Sequence, residues 1–180
     1  MLKNLSTYSN RGMGLENDIN ATNEYYLQYD IAVIYKKPTA VTIHKAEYPG
    51  PHQAIIKEAY FKTPSTTDYN GVYKGKYIDF EAKETKSKTS FPLSNIHAHQ
   101  IKHLNLITKH GGIGFIIVRF TTLNETYLLF ADVLDKYIKS TDAKSIPYSY
   151  FKEYGYLIKE KYAPRLNYIE IIDKYGGIYE

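Results

Sequence analysis

The chain has 180 residues, of which 43% are hydrophobic and 23% are charged, and these values are typical of a single globular domain. It contains no Cys, which excludes disulfides and thiolate zinc sites. The formal net charge of +4 is a weak indication of a nucleic-acid partner, and the most apolar run, 113–118, is too short to cross a bilayer. We therefore expect a cytoplasmic protein without a secretory segment.

The first half of the chain predicts a helix, two strands and a projecting arm. Residues 1–10 are mostly polar and are expected to form a flexible tail. A helix is predicted from about Leu15 to Gln28, and the apolar runs at 31–35 and 41–44 predict strands. The stretch from about 47 to 65 is punctuated by prolines and is too long for a hairpin loop, so we expect a stalk.

The second half predicts a hairpin followed by alternating helices and strands. Residues 67–73 and 76–84 predict paired strands around a turn at Lys74-Gly75, and a polar, Lys-rich loop follows. Helix, strand, strand and helix are then predicted at 95–110, 113–120, 126–130 and 131–138. This order predicts one α/β domain spanning 1–180, with a mixed central β-sheet flanked by helices.

Charged side chains alternate along the second strand of the predicted hairpin. Side chains two residues apart share a face of a strand, so Asp79, Glu81 and Lys83 are expected on one face. With Asp68 brought alongside, this face offers carboxylate oxygens, which hard cations prefer, and an ammonium that can stabilise charge on phosphorus. The pattern indicates a Mg²⁺-dependent phosphodiesterase. Asp79 either supports this site or is an ordinary solvated or salt-bridged carboxylate.

Lysines are numerous on both sides of this motif and have two interpretations. Lys86 and Lys88 follow the motif closely, whereas Lys57 and Lys62 precede it. They are either phosphate contacts or the solvated lysines of a Lys-rich protein.

Three histidines on the predicted second helix suggest zinc as an alternative metal. His99 and His103 have i, i+4 spacing, and His97 lies nearby. A third ligand at a matching spacing is not evident, and the sequence lacks a His-Glu-x-x-His motif. A helix-surface or phosphate-facing role for these histidines is therefore the better interpretation.

An acidic residue followed by Glu-x-Lys on the next strand is the core of the PD-(D/E)xK nuclease superfamily. Longer stretches closely resemble the RecU-type Holliday-junction resolvases, as do RGM at 11–13 and the pair His99-Gln100. These stretches are KEAYF at 57–61, STTDYNG at 65–71, YIDFEAKET at 77–85 and KTSFPL at 88–93. The resemblance runs from about residue 10 to 130 and continues weakly to 163–165.

The resemblance implies a restriction-endonuclease-like fold with a protruding stalk that enters the centre of a DNA junction. The implied activity is that of a homodimeric, structure-specific endodeoxyribonuclease that uses Mg²⁺, with Mn²⁺ able to substitute. It would resolve four-way (Holliday) DNA junctions by symmetric paired nicks in homologous recombination and DNA repair. A recombinase or a branch-migration protein is a further candidate partner.

The resemblance also implies roles for individual residues. The implied metal site consists of Thr66, Asp68, Glu81 and Gln100, and Lys83 corresponds to the transition-state stabiliser, so the catalytic candidates are Asp68, Glu81 and Lys83. The candidate DNA-binding residues include the lysines above and two aromatic residues of the stalk. Arg11 is either a phosphate contact or a helix-entry residue. The full set is Arg11, Lys57, Tyr60, Phe61, Lys62, Lys86 and Lys88.

Two other functions remain open at this stage. The first is a nuclease of the same superfamily with specificity for linear duplex DNA. The second is a junction-binding protein that does not cleave and instead modulates a recombinase.

Overall fold

The computed structural model of the protein describes residues 14–38, 41–61 and 67–177. The helices are α1 (Leu15–Gln28), α2 (Ala98–Lys109), α3 (Ala131–Ser140), α4 (Tyr148–Tyr154) and α5 (Ile169–Tyr175). The first five strands are β1 (Val33–Lys36), β2 (Val41–Gly50), β3 (Gln53–Phe61), β4 (Tyr69–Tyr73) and β5 (Lys76–Thr85). The remaining strands are β6 (Ser90–Pro92), β7 (Ile113–Phe120), β8 (Glu125–Phe130), β9 (Ser145–Pro147) and β10 (Tyr156–Leu157). None of the helices in these ranges combines the length and the apolar character needed to cross a membrane.

The centre of the fold is a six-stranded sheet in the order β1-β4-β5-β7-β8-β10. Strands β5 and β7 are parallel, and the other neighbouring strands of this sheet are antiparallel. Parallel neighbours need a crossover connection, and α2 lies in the connection between β5 and β7. The prediction of an α/β domain with a mixed sheet is confirmed.

Side chains of the sheet pack into two apolar cores, one on each face. Along β7 every residue is buried, with Phe115 and Ile117 in one core and Ile116 and Val118 in the other. Helices α1 and α5 cover the first face, and α2, α3 and α4 cover the second. The continuous apolar run predicted for this strand therefore reflects burial on both sides.

A two-residue turn joins β4 to β5. Lys74 and Gly75 both have positive φ angles, 45° and 73°, which is the signature of a type I′ hairpin turn. The turn sets a register in which Tyr69 lies opposite Phe80. The residue before Tyr69 therefore lies next to the position after Phe80, and these two residues are Asp68 and Glu81.

Strands β2 and β3 form a separate two-stranded sheet, which differs from the predicted organisation. Residues 41–44 were predicted as a strand and the stretch from about 47 as a separate stalk, but both belong to one hairpin, formed by β2 and β3. Pro49 does not break the strand, because the ladder already shifts register between Glu47 and Gly50 near the tip. Residues 62–65 of the predicted stalk and the predicted tail at 1–10 lie outside the described residues.

The C-terminal segment completes the first core, and its elements were not predicted. Ile169, Ile171 and Ile172 of α5 are buried against this core. The short strand β10 pairs with β8 at the sheet edge. A two-residue strand and a seven-residue helix are too short to have a distinctive sequence period.

Candidate active site

The carboxylates of Asp68 and Glu81 are held together by reciprocal bonds from the main chain. The backbone N–H of Asp68 donates to Glu81 Oε2 at 3.1 Å, and the backbone N–H of Ala82 donates to Asp68 Oδ2 at 3.4 Å. Each carboxylate thus accepts a hydrogen bond from the backbone of the segment that carries the other. The register of the β4–β5 hairpin is what makes this exchange possible.

Glu81 is a buried carboxylate with a raised pKa. Its side chain has 0% exposure, and this burial raises its pKa to about 7, with the nearby Asp68 charge adding to the rise. The Lys83 ammonium opposes the rise through an ion pair with Glu81 Oε1. That oxygen has no other hydrogen-bond donor in the described part of the chain.

This donor set fits a hard divalent cation. Two adjacent carboxylates, one fully buried and short of hydrogen-bond donors, are stabilised when a cation binds between them. No group of three or more His, Asp or Glu side chains that could hold a metal occurs within residues 14–38, 41–61 and 67–177. Two carboxylates are a sufficient protein contribution for an ion such as Mg²⁺, which keeps several waters and takes one or two carboxylates together with phosphate oxygens.

Gln100 lies near the beginning of α2 and is buried, with 6% exposure. Its Oε1 accepts a hydrogen bond from the backbone N–H of His97 at 3.0 Å and so caps the helix. An amide oxygen has two lone pairs, so this bond leaves one acceptor site on Oε1. Thr66, the fourth residue of the predicted metal set, lies outside the described residues.

The three histidines of this region do not converge on one point. The rings of His97 and His99 stack with their centroids 5.4 Å apart. His103 instead lies 3.2 Å, through Nε2, from Asp79 Oδ2. Asp79 is fully buried and ion-paired, so of the two ordinary roles expected for it, the salt-bridged one is correct and the solvated one is wrong.

The predicted DNA-binding residues fall into two groups. Lys57 and Tyr60 lie on the exposed β2–β3 hairpin, where Lys57 pairs with Glu47 at 3.3 Å and Tyr60 is 61% exposed. Lys86 and Lys88 are exposed in the loop directly after β5, a few residues beyond Lys83. Arg11, Lys62 and the side chain of Phe61 lie outside the described residues.

Two contacts that support this region were missed at the sequence level. Glu84, next to Lys83 but on the opposite face of β5, accepts a hydrogen bond from the Leu15 backbone N–H at 2.7 Å and so caps α1. Lys37 forms an ion pair with Asp79 at 2.7 Å. Each contact joins residues far apart in the chain, so no local pattern could have revealed it.

The family model described as Recombination protein U matches residues 10–174 of this chain. A Holliday junction resolvase RecU of Geobacillus sp. (strain WCH70) is 59% identical over 170 residues, which cover 93% of this chain and 85% of that protein. One of Bacillus thuringiensis (strain Al Hakam) is 54% identical over the same shares of the two chains. Among solved structures, Archaeoglobus fulgidus Hjc, a Holliday junction resolvase, overlaps with a TM-score of 0.46 and 12% identity, over 79% of this chain and 92% of that one.

The family match covers almost the whole sequence, and relatives at this level of identity cover 93% of it. The stretches that carry the resemblance also include both strands of the candidate active site. The chain belongs to the Recombination protein U family.

Proposed function

We propose that this protein is a Mg²⁺-dependent endodeoxyribonuclease that resolves four-way DNA junctions by symmetric paired nicks in recombination and repair. The observation that carries the proposal is the reciprocal hydrogen bonding of Asp68 and Glu81, with Lys83 paired to the same Glu81. Relatives that are more than half identical to this chain are named Holliday junction resolvase RecU, which supports a junction as the substrate.

Asp68 and Glu81 would hold the cation, which is Mg²⁺ in this proposal, with Mn²⁺ able to substitute. Gln100 Oε1 and Thr66 are proposed as neutral oxygens that complete or support the set. When bound, such an ion supplies Lewis acidity at phosphorus and makes a water more acidic. The carboxylates contribute by fixing the position of the ion relative to the strand that carries Lys83.

Lys83 would stabilise the charge that develops on the scissile phosphate. Its side chain is 26% exposed, whereas Glu81 beneath it has no exposure, so the ammonium lies on the open side of the carboxylate. A positive charge held in place before the reaction needs little reorganisation in the transition state. Electrostatic contributions of this kind are worth about 10²- to 10³-fold in rate.

The two groups of predicted DNA contacts would act at different places. The described residues of the β2–β3 hairpin belong to neither core, and Lys57 and Tyr60 are exposed to solvent, which suits entry into an open junction centre. Exposed aromatic rings can stack on unpaired bases, and lysines can bind phosphates. Arg11, Phe61 and Lys62 are proposed as further DNA contacts from the sequence alone. Lys86 and Lys88 would bind phosphates beside the scissile one.

Symmetric cleavage places a requirement on assembly. Two nicks on opposite strands of a junction need two linked active sites, and a homodimer with two-fold symmetry supplies them. A recombinase or a branch-migration protein is proposed as a further partner. A DNA junction as the substrate also favours the cytoplasmic location expected from the sequence.

The decisive experiment is cleavage of a mobile four-way junction, with a linear duplex of the same sequence as the control. We expect paired nicks on opposite strands of the junction in Mg²⁺ or Mn²⁺, none in EDTA, and little cutting of the duplex. Equal cutting of both substrates would favour duplex specificity instead. Binding without cleavage across a Mg²⁺ and Mn²⁺ titration would favour the non-cleaving modulator.

A further inference from the structure

A buried ion pair lies beside the carboxylate pair of the candidate active site. Lys37 Nζ is 2.7 Å from Asp79 Oδ2, and the two side chains are 15% and 0% exposed. Asp79 is two residues before Glu81 on β5, so both carboxylates point to the same face of the sheet. None of the functions proposed above uses this pair.

Asp79 joins several elements around this face. Thr67 Oγ1 donates to Asp79 Oδ1, and Tyr77 Oη donates to Asp79 Oδ2 at 3.1 Å. His103 of α2 lies 3.2 Å from the same Oδ2. A buried carboxylate surrounded in this way is both neutralised and fixed in orientation.

Lys37 also holds the chain segment that carries Asp68, and it does so twice. Its Nζ donates to Thr67 Oγ1 at 2.6 Å, and its backbone N–H donates to the carbonyl oxygen of Asp68 at 2.8 Å. The second bond extends the β1–β4 ladder one residue past the Lys36–Tyr69 pair. The side chain of Lys37 therefore binds Thr67, and its main chain binds Asp68, which is a proposed metal ligand.

We propose that Lys37 is a positioning residue for the metal site. It fixes the Thr67–Asp68 segment against Asp79, so that the Asp68 carboxylate stays beside Glu81 when the two bind a cation. The inference rests on the proposed function, because it assigns a role relative to that cation. The alternative is that Lys37 only neutralises the buried Asp79 charge, in which case the bond to Thr67 would not matter for metal binding.

The test is calorimetric titration of the full chain with MnCl₂, together with the unfolding free energy of each variant. We expect Lys37→Met to weaken Mn²⁺ binding by about 10- to 100-fold, which is the usual cost of losing a group that orients a metal ligand. Lys139→Met is the matched control, because Lys139 forms an ion pair of similar length, 2.6 Å, but on the exposed face of α3. It should bind Mn²⁺ as the wild type does.

Lys37→Met also leaves Asp79 buried without its ion-pair partner, so loss of stability must be separated from loss of positioning. The double variant Lys37→Met/Asp79→Asn removes both charges and should regain stability. If it still binds Mn²⁺ weakly, positioning is supported. If it recovers wild-type affinity, Lys37 acts only by neutralising Asp79 and the inference is wrong. Leu134→Ala, which removes a buried side chain of α3 from the second core, shows whether destabilisation alone changes Mn²⁺ affinity.

Failure of this inference can be distinguished from failure of the proposed function. If the wild type does not bind Mn²⁺, or if Asp68→Asn binds it equally well, the proposed metal site is wrong. If the wild type binds Mn²⁺ through Asp68 and Lys37→Met matches its affinity, only the role of Lys37 is wrong.

Discussion

Two antiparallel hairpins in the described part of the chain, β4–β5 and β2–β3, differ almost completely in burial. In the β4–β5 hairpin, Tyr69, Ile78 and Phe80 are buried in the first core. In the β2–β3 hairpin, the strand β2 has no buried residue, and Tyr48 near its tip is 77% exposed. The two hairpins share a hydrogen-bonding pattern but not a source of stability.

This difference separates two tasks that a junction nuclease must perform. Catalytic carboxylates have to be held within a fraction of an ångström, which requires a strand locked by packing on one face. Groups that contact DNA have to be accessible, and an exposed hairpin offers them without disturbing the core. We therefore expect substitutions in the β4–β5 hairpin to change the rate of cleavage or the stability of the fold. Substitutions in the β2–β3 hairpin are expected to change DNA binding.

The largest expected effect is on cleavage. Asp68→Asn keeps the size of the side chain but removes the charge that would bind the cation, so the rate of junction cleavage should fall by about 10²- to 10³-fold or more. Binding of the junction without metal should be unchanged. The control is Asp132→Asn on α3, an acid that is 55% exposed. Junction cleavage by Asp68→Asn at the wild-type rate would contradict the assignment.

The second prediction compares the two hairpins directly by stability. Phe80 has no exposure and stacks between Tyr69 and Phe115, each with ring centroids 4.8 Å away, so Phe80→Ala should lower the unfolding free energy by about 3–5 kcal/mol. Tyr60→Ala in the exposed hairpin should change it by less than about 0.5 kcal/mol. Urea denaturation measures both. Similar losses for the two variants would mean that the hairpins do not differ as described.

The third prediction tests the function of the exposed hairpin. If Tyr60 stacks on a base, Tyr60→Ala should weaken junction binding by about 1–3 kcal/mol, while Tyr60→Phe should retain most of it. Fluorescence anisotropy with a labelled junction gives the dissociation constants. Tyr154→Ala serves as the control, because Tyr154 is 47% exposed but lies on α4. An equal effect of Tyr60→Ala and Tyr154→Ala would argue against a specific role for the hairpin.

The smallest expected effect concerns Glu125 at the start of β8. This residue is half-buried, intermediate in exposure between the buried β4–β5 hairpin and the exposed β2–β3 hairpin. Tyr127 Oη and Tyr148 Oη donate to its carboxylate at 2.6 and 2.5 Å, and these bonds lower the pKa of Glu125 below its usual 4.5. A carboxyl whose pKa is lowered by folding stabilises the protein above its unfolded pKa, and this contribution is lost as the pH falls through the folded pKa.

Glu125→Gln should therefore cost about 1 kcal/mol at neutral pH, and the difference from the wild type should shrink as the pH falls below about 4. Urea denaturation at several pH values measures this difference. A cost that stays constant down to about pH 3 would show that packing, rather than the charge, is responsible.

The sequence by itself determined the elements with a clear local period and the charged face of β5. The helix at Leu15–Gln28 and the strand at Ile113–Phe120 have the predicted bounds. Asp68 and Glu81 were expected to meet because a two-residue turn joins their strands, so only a short segment of chain separates them. Local patterns predict such contacts well, since the geometry of a hairpin is fixed by its turn.

The tertiary structure alone decided which distant residues support the charged face of β5, and that the β2–β3 hairpin is separate from the main sheet. The hydrogen bond between Lys37 and Asp79 spans 42 positions, and the one between Arg165 and Asp18 spans 147. The separation of β2 from the main sheet likewise depends on whether a neighbouring strand is available to pair with it. Residue order encodes periodicity and turns, but a contact between remote residues exists only after the sheet has brought them together.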